Sequence, residues 1–188
     1  MHKRLAEVIG HADEARGALH TMIASAPIEL LHERPAPDDW SVVEILDHLR
    51  LIDLSVAKVV ARVLTAARAA GVPAEQSDSS VLHALDGFGV RGSSRKQVSP
   101  TFATPRRDVG LPTVLDDMRA AREVLRAAIA TGEGLDLTLV RTLHPALGEI
   151  DLYQWVLFVA HHDVRHTKQI ARVLERLGAA QHVDQPHD

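Results

Sequence analysis

Residues Asp151 to Leu177 read DLYQWVLFVAHHDVRHTKQIARVLERL. At about 100° per residue, Trp155, Phe158, Val159, His162, His166, Ile170 and Val173 fall on one stripe. Apolar periodicity of that length predicts a helix packed on a core. The two histidines lie near the centre of the stripe, one turn apart. Asp151 and Gln154 form a capping signal at its start, with Ile150 and Trp155 placed as a hydrophobic staple.

Three more segments carry the same period. The first runs from about His2 to Ala26 and stops at Pro27. The second runs from about Val42 to Ala70 and stops at Gly71. The third runs from about Thr113 to Ala130 and ends near Gly132. The fourth should end at Gly178, since glycine tolerates a left-handed C-cap. Ser41-Val-Val-Glu44 is a capping box, with Trp40 and Ile45 as its staple. Little reads as strand, because alternating runs of Val, Ile, Thr and aromatics are missing. The connection from Pro27 to Trp40 is short enough to make helices one and two antiparallel neighbours. The connection from Val72 to Leu111 is rich in Ser, Gly, Pro and Arg. A loop that long is functional or disordered, and it lets helix three run parallel to helix two. These features predict an all-α four-helix bundle with one long crossover between helices two and three. It occupies residues 1–178, and residues 179–188 form a flexible tail.

Composition agrees with this and narrows the function classes. The chain has 188 residues, 46% hydrophobic and 24% charged. That length buries roughly 70% of the unfolded surface, enough to fold without staples. There is no cysteine, so disulfides, thiolate metal sites and a cysteine nucleophile are excluded. Lysine and arginine total 21 against 25 acidic residues, a net charge of -4, with no basic face of the kind nucleic-acid binders show. No apolar run is long enough to span a bilayer. The opening MHKRLAEVIGHADEARG carries charges where a signal peptide needs an apolar core. The expectation is a cytoplasmic protein with no nucleic-acid or membrane partner.

Histidine reaches 12 residues while aromatics are only 3%. His162 and His166, at i and i+4, can bind one metal ion from one side, as in zinc-binding HExxH helices. Asp163 stands where that motif has Glu, which removes the metalloprotease base. Helix two offers a third imidazole in His48, on the edge of the stripe made by Val42, Ile45, Leu46, Leu49, Ile52 and Val56.

Three pieces of the sequence make it similar to a known family. They are Trp40-Ser41 leading to His48, His144-Pro-Ala-Leu-Gly148, and Trp155-x-x-Phe158-x-x-His162-x-x-Arg165-His166-x-x-Gln169-Ile170. With these the chain resembles the DinB/YfiT-like superfamily of metal-binding four-helix bundles. The resemblance implies an up-down-down-up helix order and a divalent metal held by His48, His162 and His166. It also implies a homodimer. Characterised relatives include metal-dependent thiol S-transferases and a maleylpyruvate isomerase, both using low-molecular-weight thiols.

Three neutral imidazoles with an open position suit zinc or nickel. Such a centre activates either water or a thiol. The expected activity is therefore a thiol S-transferase or a hydrolase of small electrophilic compounds, with a low-molecular-weight thiol as a possible cosubstrate. The alternative is a non-enzymatic bundle whose site is structural or senses a ligand. Gln169 either orients a ligand or is a polar flank. His161, turned about 100° from its neighbour, belongs on the surface or behind the site. Arg165 reads as an ion-pair partner and His144 as a turn histidine capping backbone. Arg91, Arg95 and Lys96 form a solvated loop cluster or, alternatively, a clamp for an anionic substrate. The run Val56, Val59, Val60 and Val63 offers an apolar stripe for pairing two chains.

Overall fold

A computed structural model of the chain describes residues 1–88 and 101–183. The loop trio Arg91, Arg95 and Lys96 and the tail from residue 184 lie outside these residues. Four long helices occur among the described residues: α1 (Lys3–Ser25), α2 (Val42–Ala69), α3 (Leu111–Ala130) and α4 (Leu152–Val183).

Both capping boxes form. The Ser41 hydroxyl accepts from the Glu44 amide, and the Glu44 carboxylate accepts from the Ser41 amide. Asp151 and Gln154 exchange the same pair of bonds. At the end of α2, Gly71 adopts φ 70. Its amide bonds to the Arg68 carbonyl and the Val72 amide to the Ala67 carbonyl, a complete Schellman stop. Gly178 behaves differently from its reading as a stop. It keeps a negative φ and α4 continues through it to Val183. A glycine inside a helix costs only about 1 kcal/mol, and it ends one only where the chain takes the left-handed turn.

A two-stranded antiparallel hairpin precedes α4, formed by β1 (Arg141–His144) and β2 (Gly148–Asp151). Its four-residue strands are too short to show an alternating pattern in the sequence. The loop Pro145 to Leu147 closes on Gly148 at φ 76, the left-handed position such a turn requires.

Side-chain pairings fix the helix order. Asp53 on α2 meets Arg122 on α3, and Arg68, near the end of α2, donates to the Thr131 carbonyl just past the end of α3. Helices α2 and α3 therefore run parallel. Leu19 and Ile23, late in α1, share a cluster with Val42 and Val43 at the start of α2 and with Ile170 and Val173 late in α4. Helix α1 is thus antiparallel to α2 and parallel to α4. The order is up-down-down-up, and the long crossover joins the parallel pair.

The apolar interior is divided in two. One cluster includes Leu5, Val8, Val60, Leu64, Leu125, Ile129 and Trp155 to Leu157. The other includes Leu19, Ile23, Ile45, Leu46, Leu49, Val114, Met118 and Ile170. Between them lies a charged layer with one residue from each helix. Arg16 donates to Asp53 (3.1 Å) and to both oxygens of Asp163 (3.1 and 2.9 Å). Arg122 donates to Asp53 (3.1 Å) and Asp163 (2.7 Å). All four side chains are buried.

Val56 and Val60 lie inside the first cluster, and Val59 and Val63 pack partly buried against it. The valine run of α2 is core rather than the exposed stripe expected for pairing two chains. Among the described residues no helix is long and apolar enough to cross a membrane.

Removing one carboxylate from the charged layer leaves two buried guanidiniums sharing one partner. Asp53→Ala should lower the unfolding free energy by about 3–5 kcal/mol, measured by urea denaturation at pH 7. A loss below about 1 kcal/mol would mean the layer does not hold the helices together.

Candidate metal centre

His48 sits on the second turn of α2, and the antiparallel α4 brings His162 and His166 against it. The ring centroids are 5.3 Å apart for His48 and His162, 4.9 Å for His48 and His166, and 4.4 Å for His162 and His166. One nitrogen from each ring falls within 4.8 Å of the others, a set able to hold one ion. Ligands at about 2.0–2.1 Å from a common tetrahedral centre are about 3.4 Å apart. Contraction of the cluster by an ångström or so reaches that spacing.

Two of the rings are oriented by neutral acceptors. His48 Nδ1–H donates to the Ala103 carbonyl at 2.8 Å, and His166 Nδ1–H donates to Gln169 Oε1 at 2.7 Å. With the proton on Nδ1, Nε2 keeps its lone pair free for a ligand bond. His162 Nδ1 is buried with no hydrogen-bond partner, a cost that proteins rarely leave standing.

Ala103 is delivered by the end of the crossover. The Asp47 carboxylate, beside His48, accepts from the Arg106 amide (2.8 Å) and guanidinium (2.6 Å), and from Arg50 (2.7 Å). Burial pushes the Asp47 carboxyl up, but these hydrogen bonds outweigh it and hold it below its ordinary range. It stays charged and keeps the 101–106 segment against α2.

The imidazoles are held neutral. Burial lowers His48, partly opposed by its bond to Ala103. Burial and then the neighbouring His166 and His48 push His162 well below its ordinary value. His166 is brought down to about 3, first by burial and then by His48 and Arg165. Neutral imidazole is the form that binds metals.

Aromatic rings wall the cluster. Trp40 lies 5.1 Å from His48, and Phe158 lies 5.5 Å from His162. His144, at the end of β1, meets Trp155 at a tilt (4.7 Å) and Phe158 edge-on (4.3 Å). Its Nδ1 accepts from the Ala146 and Leu147 amides, the backbone cap expected of it. Burial lowers its pKa to about 4. Trp40 also lines a cleft of about 130 Å³, together with Arg34, Asp38, Glu44, Thr104 and Arg107.

A model of the DinB superfamily matches residues 11–170. The chain belongs to the DinB superfamily. The chain is also similar to a curated protein along nearly that protein's whole length. That protein, YuaE of Bacillus subtilis (strain 168), described as uncharacterized, is 27% identical over 169 residues, covering 89% of this chain and 98% of YuaE. Among solved structures, TT2238, described as a four-helix bundle protein, superposes with a TM-score of 0.61 at 18% identity. The match covers 89% of this chain and 98% of TT2238. At that identity the likeness concerns the fold of this DinB chain.

His48, His162 and His166 come together as the sequence suggests, and His48, on the edge of its stripe, is buried. Gln169 bonds His166. His161, expected at the surface or behind the site, is buried, with its ring 6.3 Å from that of His11. The Ala103 carbonyl carries no side-chain signal that sequence reading could detect.

These histidines make stability depend on pH. His48, His144, His162 and His166 are all lowered in the folded state, whereas the unfolded chain takes up protons near pH 6.5. Their contribution is complete above that value and is lost as pH falls below it, by up to about 1.4 kcal/mol per pH unit for each. In chelator-treated protein the urea midpoint should therefore fall from pH 7 to pH 5. An unchanged midpoint would contradict the burial of the cluster.

Proposed function

We propose that this DinB chain is a divalent-metal-dependent enzyme acting on small electrophilic compounds, as a thiol S-transferase or a hydrolase. His48, His162 and His166 would hold zinc or nickel. The observation that carries this reading is the convergence of three neutral imidazoles, with one nitrogen from each within 4.8 Å of the others. The unpartnered Nδ1 of His162 and the donor set, all imidazole nitrogen, fit a borderline-soft divalent ion.

When bound, such an ion lowers the pKa of a coordinated water to about 7 or deprotonates a thiol outright, giving a nucleophile that needs no cysteine in the chain. The chain's own residues do the rest. Ala103 and Gln169 fix the proton of His48 and His166 on Nδ1 and so aim Nε2 inward. Burial keeps all three rings neutral and open to a ligand bond. Trp40 and Phe158 exclude water from two sides, which strengthens electrostatic interactions in the site.

Elemental analysis of wild type, His162→Ala and Gln169→Ala tests this. Wild type should carry close to one divalent ion per chain and His162→Ala none, with its helical circular dichroism retained. Gln169→Ala should bind with roughly 10–100-fold weaker affinity, the usual effect of losing the residue that orients a ligand. A His162→Ala variant with stoichiometric metal would overturn the assignment. Metal-loaded wild type inert to panels of thiol and hydrolytic substrates would exclude the enzymatic reading.

A further inference from the structure

His144 lies outside the three-histidine set, yet it faces the same aromatic wall. The Ala146 and Leu147 amides both donate to Nδ1, at 3.1 and 3.2 Å. A nitrogen that accepts two N–H donors carries no proton, so the neutral ring has its proton on Nε2. Among the described residues nothing accepts from Nε2–H, and that nitrogen is not sealed from the surface. The ring cannot turn over without abandoning both backbone bonds, and it meets Trp155 at a tilt and Phe158 edge-on. His144 is thus a rigid, uncharged donor with one direction to offer.

Its place beside Phe158 of α4 gives that donor a use. Phe158 is in ring contact with His144 at 4.3 Å and with His162 at 5.5 Å, so one half-buried phenyl bridges the two imidazoles. A small molecule seated at the histidine cluster and lying along Phe158 would bring its far end beside His144.

We propose that His144 determines substrate specificity by donating Nε2–H to a neutral acceptor oxygen of a small molecule held at the histidine cluster, with Phe158 as the apolar floor between them. The substrate class is a compound whose reacting head is separated by a short apolar segment from a carbonyl, amide or hydroxyl oxygen. An anionic group is not required at that end, because the neutral ring offers a hydrogen bond and no charge. The proposal rests on the metal reading given above.

Cobalt(II)-loaded protein provides the test, because thiolate binding to cobalt is followed by its charge-transfer absorption. The probes are a graded series of mercaptoalkanamides, HS–(CH2)n–CONH2, each compared with the alkanethiol of matched length. In wild type at least one length should show the amide binding about three- to tenfold more tightly than its alkyl match, the gain one neutral hydrogen bond supplies. In His144→Asn that preference should vanish while alkanethiol affinity is unchanged. The asparagine oxygen can still accept from the turn amides, so the hairpin cap survives. Nitrogen-15 NMR of wild type should show the Nε2–H tautomer for His144, with its proton moving downfield when the preferred amide binds. Cobalt uptake without an amide preference at any length, or a preference that persists in His144→Asn, overturns the His144 assignment alone. Failure to take up cobalt defeats the metal reading and this proposal with it. The comparison in wild type needs no variant to fold.

Discussion

Four charges of alternating sign, one from each helix, set the geometry of everything else in the bundle. Arg16, Asp53, Arg122 and Asp163 lie where the two apolar clusters meet. Each ion is desolvated, and together they compensate only if every helix presents its residue at the right depth and rotation. Apolar packing alone allows a helix to slide or turn by fractions of a residue at modest cost. A buried guanidinium bonded to carboxylates on two other helices does not. Asp163 follows His162 directly, and Asp53 lies five residues beyond His48. The layer that fixes the helices thereby fixes the depth at which the histidines meet.

Next to this layer the site follows the opposite electrostatic rule. The charged layer balances two cations with two anions. The oriented histidines face a carbonyl and an amide instead, and the Asp47 carboxylate beside His48 is engaged by Arg50 and Arg106. A carboxylate partner would raise an imidazole pKa and favour the protonated ring. Neutral acceptors orient the ring just as well and leave burial free to depress the pKa. The cluster is consequently rich in lone pairs and poor in charge, which suits a divalent cation better than a proton.

Much of this was legible from residues alone, and the exceptions have physical reasons. Long helices with capping boxes at Ser41 and Asp151 announce themselves through periodicity and hydrogen-bonding side chains. His162 and His166 stand out because two polar rings interrupt one apolar stripe. Helical period puts His48 only on the edge of its stripe, because it cannot register the returning 101–106 segment that covers this ring. The charged layer leaves a fainter trace. Asp163 drew attention only as a substitute for glutamate, although Arg16 sits among Ala12, Ala15 and Leu19 on the core face of α1, which is a readable sign of a buried ion pair. The hairpin strands were too short to show a period, and a backbone carbonyl such as that of Ala103 leaves no mark in a sequence. Gly71 and Gly178 look alike as helix stops. They differ in whether the next residue turns back to bond the helix end, as Val72 does.

The helix order explains why the crossover ends at the site. In an up-down-up-down bundle, a connection leaving the end of α2 would begin α3 at the same end of the molecule. His48, near the start of α2, would be left at the far end. Here α3 runs parallel to α2, so the chain must return along the full length of the bundle before α3 begins. Its first stretch stays by the end of α2, where Glu75, Ser77 and Ser79 take the Arg4 guanidinium at the start of α1. Its last stretch arrives beside the start of α2, where Asp47 captures Arg106 and the Ala103 carbonyl meets His48. The parallel pair therefore does more than permit a long loop. It obliges the loop to finish over the histidine cluster, so the topology itself supplies the backbone acceptor that orients the first of the three imidazoles.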